Sequence, residues 1–155
     1  MTHVLGDASV RELEGGLAGR VIRPDDGEYE TARRIWNGAI DKHPALVVRP
    51  ATTDDVVRTV RFACSEGLPI AVRGGSHSVA GFSTCDDGIV IDLADLNSVQ
   101  VDVEGRRAIA GGGTKWKDFD AATQAHGLAT TGGLISSTGV GGFAQVGDTL
   151  GRDLI

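Results

Sequence analysis

The chain has 155 residues, 41% of them apolar and 23% charged, which is the composition of a folded globular domain and excludes a disordered or fibrous protein. Its 15 basic and 21 acidic residues give a net charge of -6 without a basic cluster, so nucleic acid is not an expected partner. There is neither a basic start with an apolar run nor a long apolar stretch, so neither secretion nor membrane insertion is expected.

The cysteine usage points to a reducing compartment. Cys64 and Cys85 form neither a CxxC pair nor a repeated framework, so they are expected to be reduced thiols in a cytoplasmic protein. Together with His77 they also lack zinc-ligand spacing, and no metal site is expected. His43 and His126 are most simply surface residues.

The first 44 residues mix short helical patterns, such as residues 28–36, with glycine breaks. We expect them to form a leader that packs on a domain spanning residues 45–155. That domain opens with an apolar strand at 45–48, which is stopped by Arg49 and Pro50.

A helix follows this strand, and a second strand follows the helix. Thr52 or Thr53 is expected to cap the helix, with two aspartates in its first turn and Gly67 at its end. Residues 69–72 then form the second strand, and a crossover of this kind favours a parallel pair.

Strands dominate the next part of the chain. After a loop at 74–88, extended segments are predicted at 89–93, 98–103 and 107–110, with the last two joined as a hairpin. A helix is predicted over 115–125. The fold class is therefore α+β and not a doubly wound sheet.

Residues 73–78 read RGGSHS and directly follow a predicted strand. Paired glycines permit positive φ and let consecutive backbone N–H groups converge on an anion, while the serines add hydroxyl donors. Such a loop can cradle a pyrophosphate. The alternative is a tight turn that carries a solvated histidine.

Two more glycine-rich segments follow. Residues 110–114 read AGGGT, where a plain helix-start turn is the alternative. Residues 130–142 read TTGGLISSTGVGG, which suits a donor-lined wall that a planar ligand or a phosphate can approach closely. A flexible linker is the alternative there, and the apolar Leu134, Ile135, Val140 and Phe143 favour anchoring. Neither a GxGxxG helix start nor a GxxxxGK[ST] loop is present.

In order and at familiar spacing, these segments resemble the FAD-binding domain of the berberine-bridge-enzyme-like, or vanillyl-alcohol-oxidase-type, family of covalent flavin oxidases. The resemblance covers residues 45–143 and is carried by the motifs VVRP, ATTDDV, PIAVRGGSHS, GIVIDL, AGGG, GLATTGG and GVGG. It implies an α+β, PCMH-type FAD-binding domain of two subdomains. This chain would supply the first subdomain and the start of the second.

The resemblance also implies the cofactor and its contacts. His77 would be joined to the flavin methyl carbon, and a neutral imidazole nitrogen is a competent nucleophile for that role. Some members add a second link from a cysteine, but Ile135 occupies that neighbourhood, so a single histidyl link is expected. The implied FAD-binding residues are Arg73, Gly74, Gly75, Ser76, His77, Ser78, Gly81, Gly132, Gly133, Ser137, Thr138, Gly139, Gly141 and Gly142.

The match departs from the family after Phe143. The family's Thr-Leu-Gly-Gly-Gly run is replaced, and Asp148 introduces a negative charge where phosphates are expected. The family's substrate domain, with its catalytic base, has no counterpart in these residues, so the resemblance assigns no catalytic residue.

Two functions follow from the resemblance. The chain is either the FAD-binding portion of an oxidoreductase or a truncated remnant or flavin-binding module without oxidase activity. In the first case, the complete form would pass a hydride from a small-molecule substrate to flavin N5.

Overall fold

The computed structural model describes residues 5–144, so the expectation about Asp148 lies outside the described residues. The chain forms a mixed α+β structure, as the sequence predicts. Its elements are α1 (Asp7–Gly16), β1 (Arg20–Ile22), α2 (Tyr29–Arg33), β2 (Leu46–Arg49), α3 (Thr53–Ser65), β3 (Ile70–Arg73), β4 (Ile89–Asp92), a 3-10 turn (Leu93–Asp95), β5 (Val99–Asp102), β6 (Arg107–Ala110) and α4 (Trp116–Gln124). Residues 140–144 are helical as well.

The larger sheet has the order β1-β2-β4-β3, with β2 and β3 both parallel to β4. The strand–helix–strand unit therefore does place two strands in the same direction, but β4 lies between them. Val47, Val90 and Ile91 have no exposed surface because helices cover both faces. This burial explains why their strands read as continuous apolar runs without alternation.

Residues 5–44 contribute an edge strand to this sheet and a helix beside it. Strand β1 pairs antiparallel with β2, and α1 packs beside α3, with Val10 and Leu13 in the shared core. The sequence patterns predict neither of these elements. They predict a helix over 28–36, whereas α2 ends at Arg33 because Arg34 has extended backbone angles. The segment after Arg34 is thus free to run towards the glycine-rich loops.

A buried carboxylate joins α1 and β1 to the rest of the domain. Thr52 caps α3 as predicted and forms a capping box with Asp55. The Asp55 carboxylate also accepts hydrogen bonds from the backbone N–H groups of Ala18 and Gly19, both at 3.0 Å, and from that of Ala51 at 2.9 Å. Burial raises the pKa of Asp55, but these backbone donors outweigh it and hold the pKa below its usual value.

The remaining strands form the predicted hairpin, with β5 antiparallel to β6 and α4 packed against β5. An isolated bridge between Lys115 and Gly139 ties the start of α4 to the last glycine-rich segment. Within residues 5–144, no helix is long and apolar enough to cross a membrane.

Candidate cofactor site

The three glycine-rich segments meet backbone to backbone. A Cβ atom on Gly75 would lie 2.2 Å from the backbone nitrogen of Gly139, closer than any real contact. Likewise, a Cβ on Gly141 would lie 2.6 Å from the carbonyl oxygen of Gly112. These glycines are therefore required for the loops to approach one another, whatever the loops bind.

A cavity of about 760 Å³ lies beside this junction, between the loop that carries His77 and residues 132–143. Most of the predicted cofactor residues line it. They are Gly74, Gly75, Ser76, His77, Ser78, Gly132, Gly133, Thr138, Gly139 and Gly142. The lining also contains residues that were not predicted as contacts: Val72, Phe82, Ser83, Leu134, Ile135 and Phe143.

The imidazole of His77 is held by a hydrogen bond of 2.6 Å between its Nδ1 and the carbonyl oxygen of Gly75. A carbonyl oxygen can only accept, so in the neutral ring Nδ1 carries the hydrogen and Nε2 keeps its lone pair. The hydroxyl of Ser137 lies 3.4 Å from Nε2 and brings the last glycine-rich segment to the ring, although Ser137 is absent from the cavity lining. Nε2 is therefore the nitrogen available for chemistry.

Arg73 supports the loop from the protein interior. Its guanidinium donates to the carbonyl oxygens of Ala32, Arg33 and Ser83. It also lies 3.8 Å from the Asp92 carboxylate. Burial lowers the pKa of Arg73, while Asp92 opposes that shift. Arg73 does not line the cavity, and its guanidinium is engaged by protein groups, so its predicted contact with the cofactor stays a prediction.

Gly81 is also placed away from the cavity lining, at a turn with φ of 77°. A Cβ there would lie 2.9 Å from the side chain of Ile40. The glycine is thus explained by its turn and its packing, without a ligand.

The far wall of the cavity rests on Trp116. A Cβ on Gly132 would lie 2.4 Å from the indole ring, so the glycines there let the backbone lie flat on it. Phe143 packs edge-on against the same ring, with centroids 5.3 Å apart, as expected for an anchoring residue. Leu134 is fully exposed and Ile135 is 60% exposed, so the expectation that they anchor the segment is wrong. They leave an apolar rim instead.

Buried polar atoms without partners add a chemical signal. Among residues 5–144, Ser83 Oγ, Thr84 Oγ1 and Trp116 Nε1 are buried and make no hydrogen bond. Such orphaned groups cost free energy unless a ligand or water satisfies them. Ser83 lines the cavity, so one of these unpartnered hydroxyls belongs to a residue of the candidate site. The described residues contain no cluster of side chains able to hold a metal ion.

Ser76, next to His77, has a φ of 64° and therefore lies in the left-handed region. An L-residue in this conformation costs about 1 kcal/mol, and more if it is β-branched. We expect Ser76→Gly to unfold in urea with a free energy within about 0.5 kcal/mol of the parent, because relief of strain offsets the flexibility that glycine adds. Ser76→Val should lose about 2 kcal/mol. Equal stability of the two variants would contradict this conformation.

A family model described as an FAD binding domain matches residues 44–150. Among curated proteins, (R)-6-hydroxynicotine oxidase of Paenarthrobacter nicotinovorans is 39% identical over 131 residues, covering 84% of this chain and 29% of that protein. The FAD-linked oxidoreductase hasG of Aspergillus fumigatus is 38% identical over 133 residues, covering 85% of this chain and 28% of that protein. The chain thus spans under a third of the length of these relatives.

Solved structures agree with the fold. The crystal structure of 6-hydroxy-D-nicotine oxidase from Arthrobacter nicotinovorans superposes with a TM-score of 0.78 at 39% identity, covering 80% of this chain and 27% of that one. The BBE-like 1 protein of Physcomitrella patens superposes with a TM-score of 0.79 at 25% identity, covering 87% and 30%. The predicted fold of a PCMH-type FAD-binding oxidase is confirmed.

Proposed function

We propose that this chain, which belongs to the FAD binding domain family, is the cofactor-binding portion of an oxidoreductase. The complete enzyme would oxidise a small molecule by hydride transfer. Membership of this family of flavin oxidases confirms the resemblance seen in the sequence, and FAD is its cofactor. When bound, FAD supplies a two-electron acceptor that takes a hydride from a substrate carbon.

The cavity carries this proposal because its lining combines the surfaces that FAD requires. Glycine walls at Gly132, Gly133 and Gly142 present backbone to a flat ligand, and apolar side chains surround them. Ser76 and Ser78 add polar residues to the same lining, and Ser83 beside them has a buried hydroxyl without a partner. A mostly apolar cleft with a few convergent polar groups is the usual form of a cofactor site.

His77 is the residue that we propose to link the flavin, through Nε2. The carbonyl of Gly75 holds the hydrogen on Nδ1, which leaves the Nε2 lone pair to form the bond. With flavin bound, the link would exchange one C–H bond of the flavin methyl group for a C–N bond to Nε2, and dioxygen would serve as the two-electron oxidant. The proton of the methyl carbon and that of the imidazole would leave with the two electrons as hydrogen peroxide. The covalent bond would hold the flavin in place in a site that is otherwise built from loops.

The test is to purify the protein, saturate it with FAD, remove free flavin and measure flavin absorbance before and after acid precipitation. We expect near-stoichiometric flavin in the native protein and flavin that stays with the precipitate. A protein that remains colourless after FAD is added overturns the proposal. Turnover of amine, alcohol and sugar substrates separates an oxidoreductase from a flavin-binding module, because retention of flavin without turnover supports the module.

A further inference from the structure

The extended segment that follows α2 runs along the loop that carries His77. The backbone N–H of Trp36 donates to the carbonyl oxygen of Ser76 at 3.1 Å. One residue later, the side-chain amide of Asn37 donates to the carbonyl oxygen of Val79 at 2.8 Å. The loop is thus bonded on both sides of His77 by two consecutive residues of the N-terminal region.

The end of α2 and the segment that follows it contact both ends of that loop. At the start, the carbonyl oxygens of Ala32 and Arg33 accept hydrogen bonds from the Arg73 guanidinium. At the end, the side chain of Ile40 packs on Gly81, where a Cβ would lie 2.9 Å away. We call residues 32–40 the N-terminal clamp. The clamp precedes residues 44–150, which match the family model.

The indole of Trp36 stacks on the imidazole of His77, with ring centroids 5.7 Å apart and planes inclined by 21°. Trp36 is 65% exposed, so burial in the core does not account for a side chain of this size at this position. Stacking restrains the plane of the imidazole, and the hydrogen bond from Nδ1 to Gly75 restrains its flip. Together they fix the direction of Nε2.

From these contacts, and resting on the proposed role of His77, we infer that Trp36 is a positioning residue for flavin attachment. Its indole stacks on the imidazole of His77, while the N-terminal clamp holds the backbone on both sides of His77 by hydrogen bonds. Trp36 is not part of the cavity lining, so it acts through His77 and not through the cofactor. The functional unit of the site therefore begins before the matched domain.

The test compares Trp36→Ala and Trp36→Phe with the parent protein, using Val103→Ala as a control that truncates an exposed apolar residue far along the chain. We expect Trp36→Ala to slow covalent incorporation of added FAD roughly tenfold, because a misdirected nucleophile reacts slowly. Non-covalent FAD affinity and melting temperature should stay near the parent values. Trp36→Phe, which can still stack, should recover most of the rate, and Val103→Ala should match the parent.

Incorporation by Trp36→Ala at the parent rate overturns the inference. A parallel fall in affinity, melting temperature and incorporation also overturns it, because Trp36 would then be only structural. If the parent binds FAD but never links it, the role of His77 fails and this inference fails with it. Failure of the proposed function is recognised separately, because the parent protein would then bind no FAD at all.

Discussion

Replacing His77 by alanine is expected to abolish covalent flavin attachment while leaving reversible FAD binding measurable. The loss should be complete, because no other described nucleophile lines the cavity with a free nitrogen or sulfur. The glycine walls, Ser83 and the backbone around the cavity remain in the variant, so the flavin should still bind. Flavin fluorescence in a denaturing gel measures the covalent fraction, and equilibrium dialysis measures the reversible affinity.

His126→Ala is the matched control, because His126 is exposed at the end of α4 and away from the cavity lining. It should retain the covalent flavin of the parent. If His77→Ala still carries flavin through denaturation, another residue makes the link and the assignment is wrong. Gain of a second bond is not expected, since the described residues that line the cavity include no cysteine.

Replacing Asp55 by asparagine is expected to lower the free energy of unfolding by about 3 kcal/mol. The buried carboxylate accepts backbone hydrogen bonds from Ala18, Gly19, Ala51 and Thr52, and an amide can offer only one oxygen to these donors. The measurement is urea unfolding followed by circular dichroism. Asp54→Asn is the control, because Asp54 is exposed in the same helical turn and should lose less than about 1 kcal/mol.

The Asp55 contribution should also depend on pH with a definite sign. The folded-state pKa is lowered, so the carboxylate stabilises the fold fully above the unfolded pKa, about 3.9, and progressively less as pH falls through the lower folded pKa. The stability difference between the parent and Asp55→Asn should therefore shrink below about pH 4. A difference that grows on acidification would contradict the hydrogen-bonded carboxylate.

Local signals in the sequence predict much of the fold. The threonine cap and the glycine end bound α3 within one or two residues, and the turn at 104–105 places the β5–β6 hairpin. These features depend on neighbours in the chain, where capping and turn chemistry act. Strand β1 is different. Its three residues owe their conformation to pairing with β2, more than twenty residues later, and no local pattern marks them.

The candidate site is likewise predicted in part by local sequence and in part determined by contacts between distant residues. Glycine-rich segments identify the loops, because few roles other than close backbone approach require so many glycines. Sequence alone does not separate approach to a ligand from approach to another loop, and Gly75 and Gly141 serve the second purpose in this structure. Nor does it show that Arg73 points inward, since its partners are backbone carbonyls that any sequence would supply.

The position of β4 has a consequence for biosynthesis. Strands β2 and β3 are made before β4, do not pair with each other, and both await a strand that begins at residue 89. As the chain leaves the ribosome, β2 can pair with β1 on one side, but its other edge and the whole of β3 stay unpaired until β4 arrives between them, which delays the sheet and exposes aggregation-prone edges. Pauses in translation that hold β4 inside the ribosome should thus prolong dependence on chaperones, whereas pauses that occur after β4 has emerged should not.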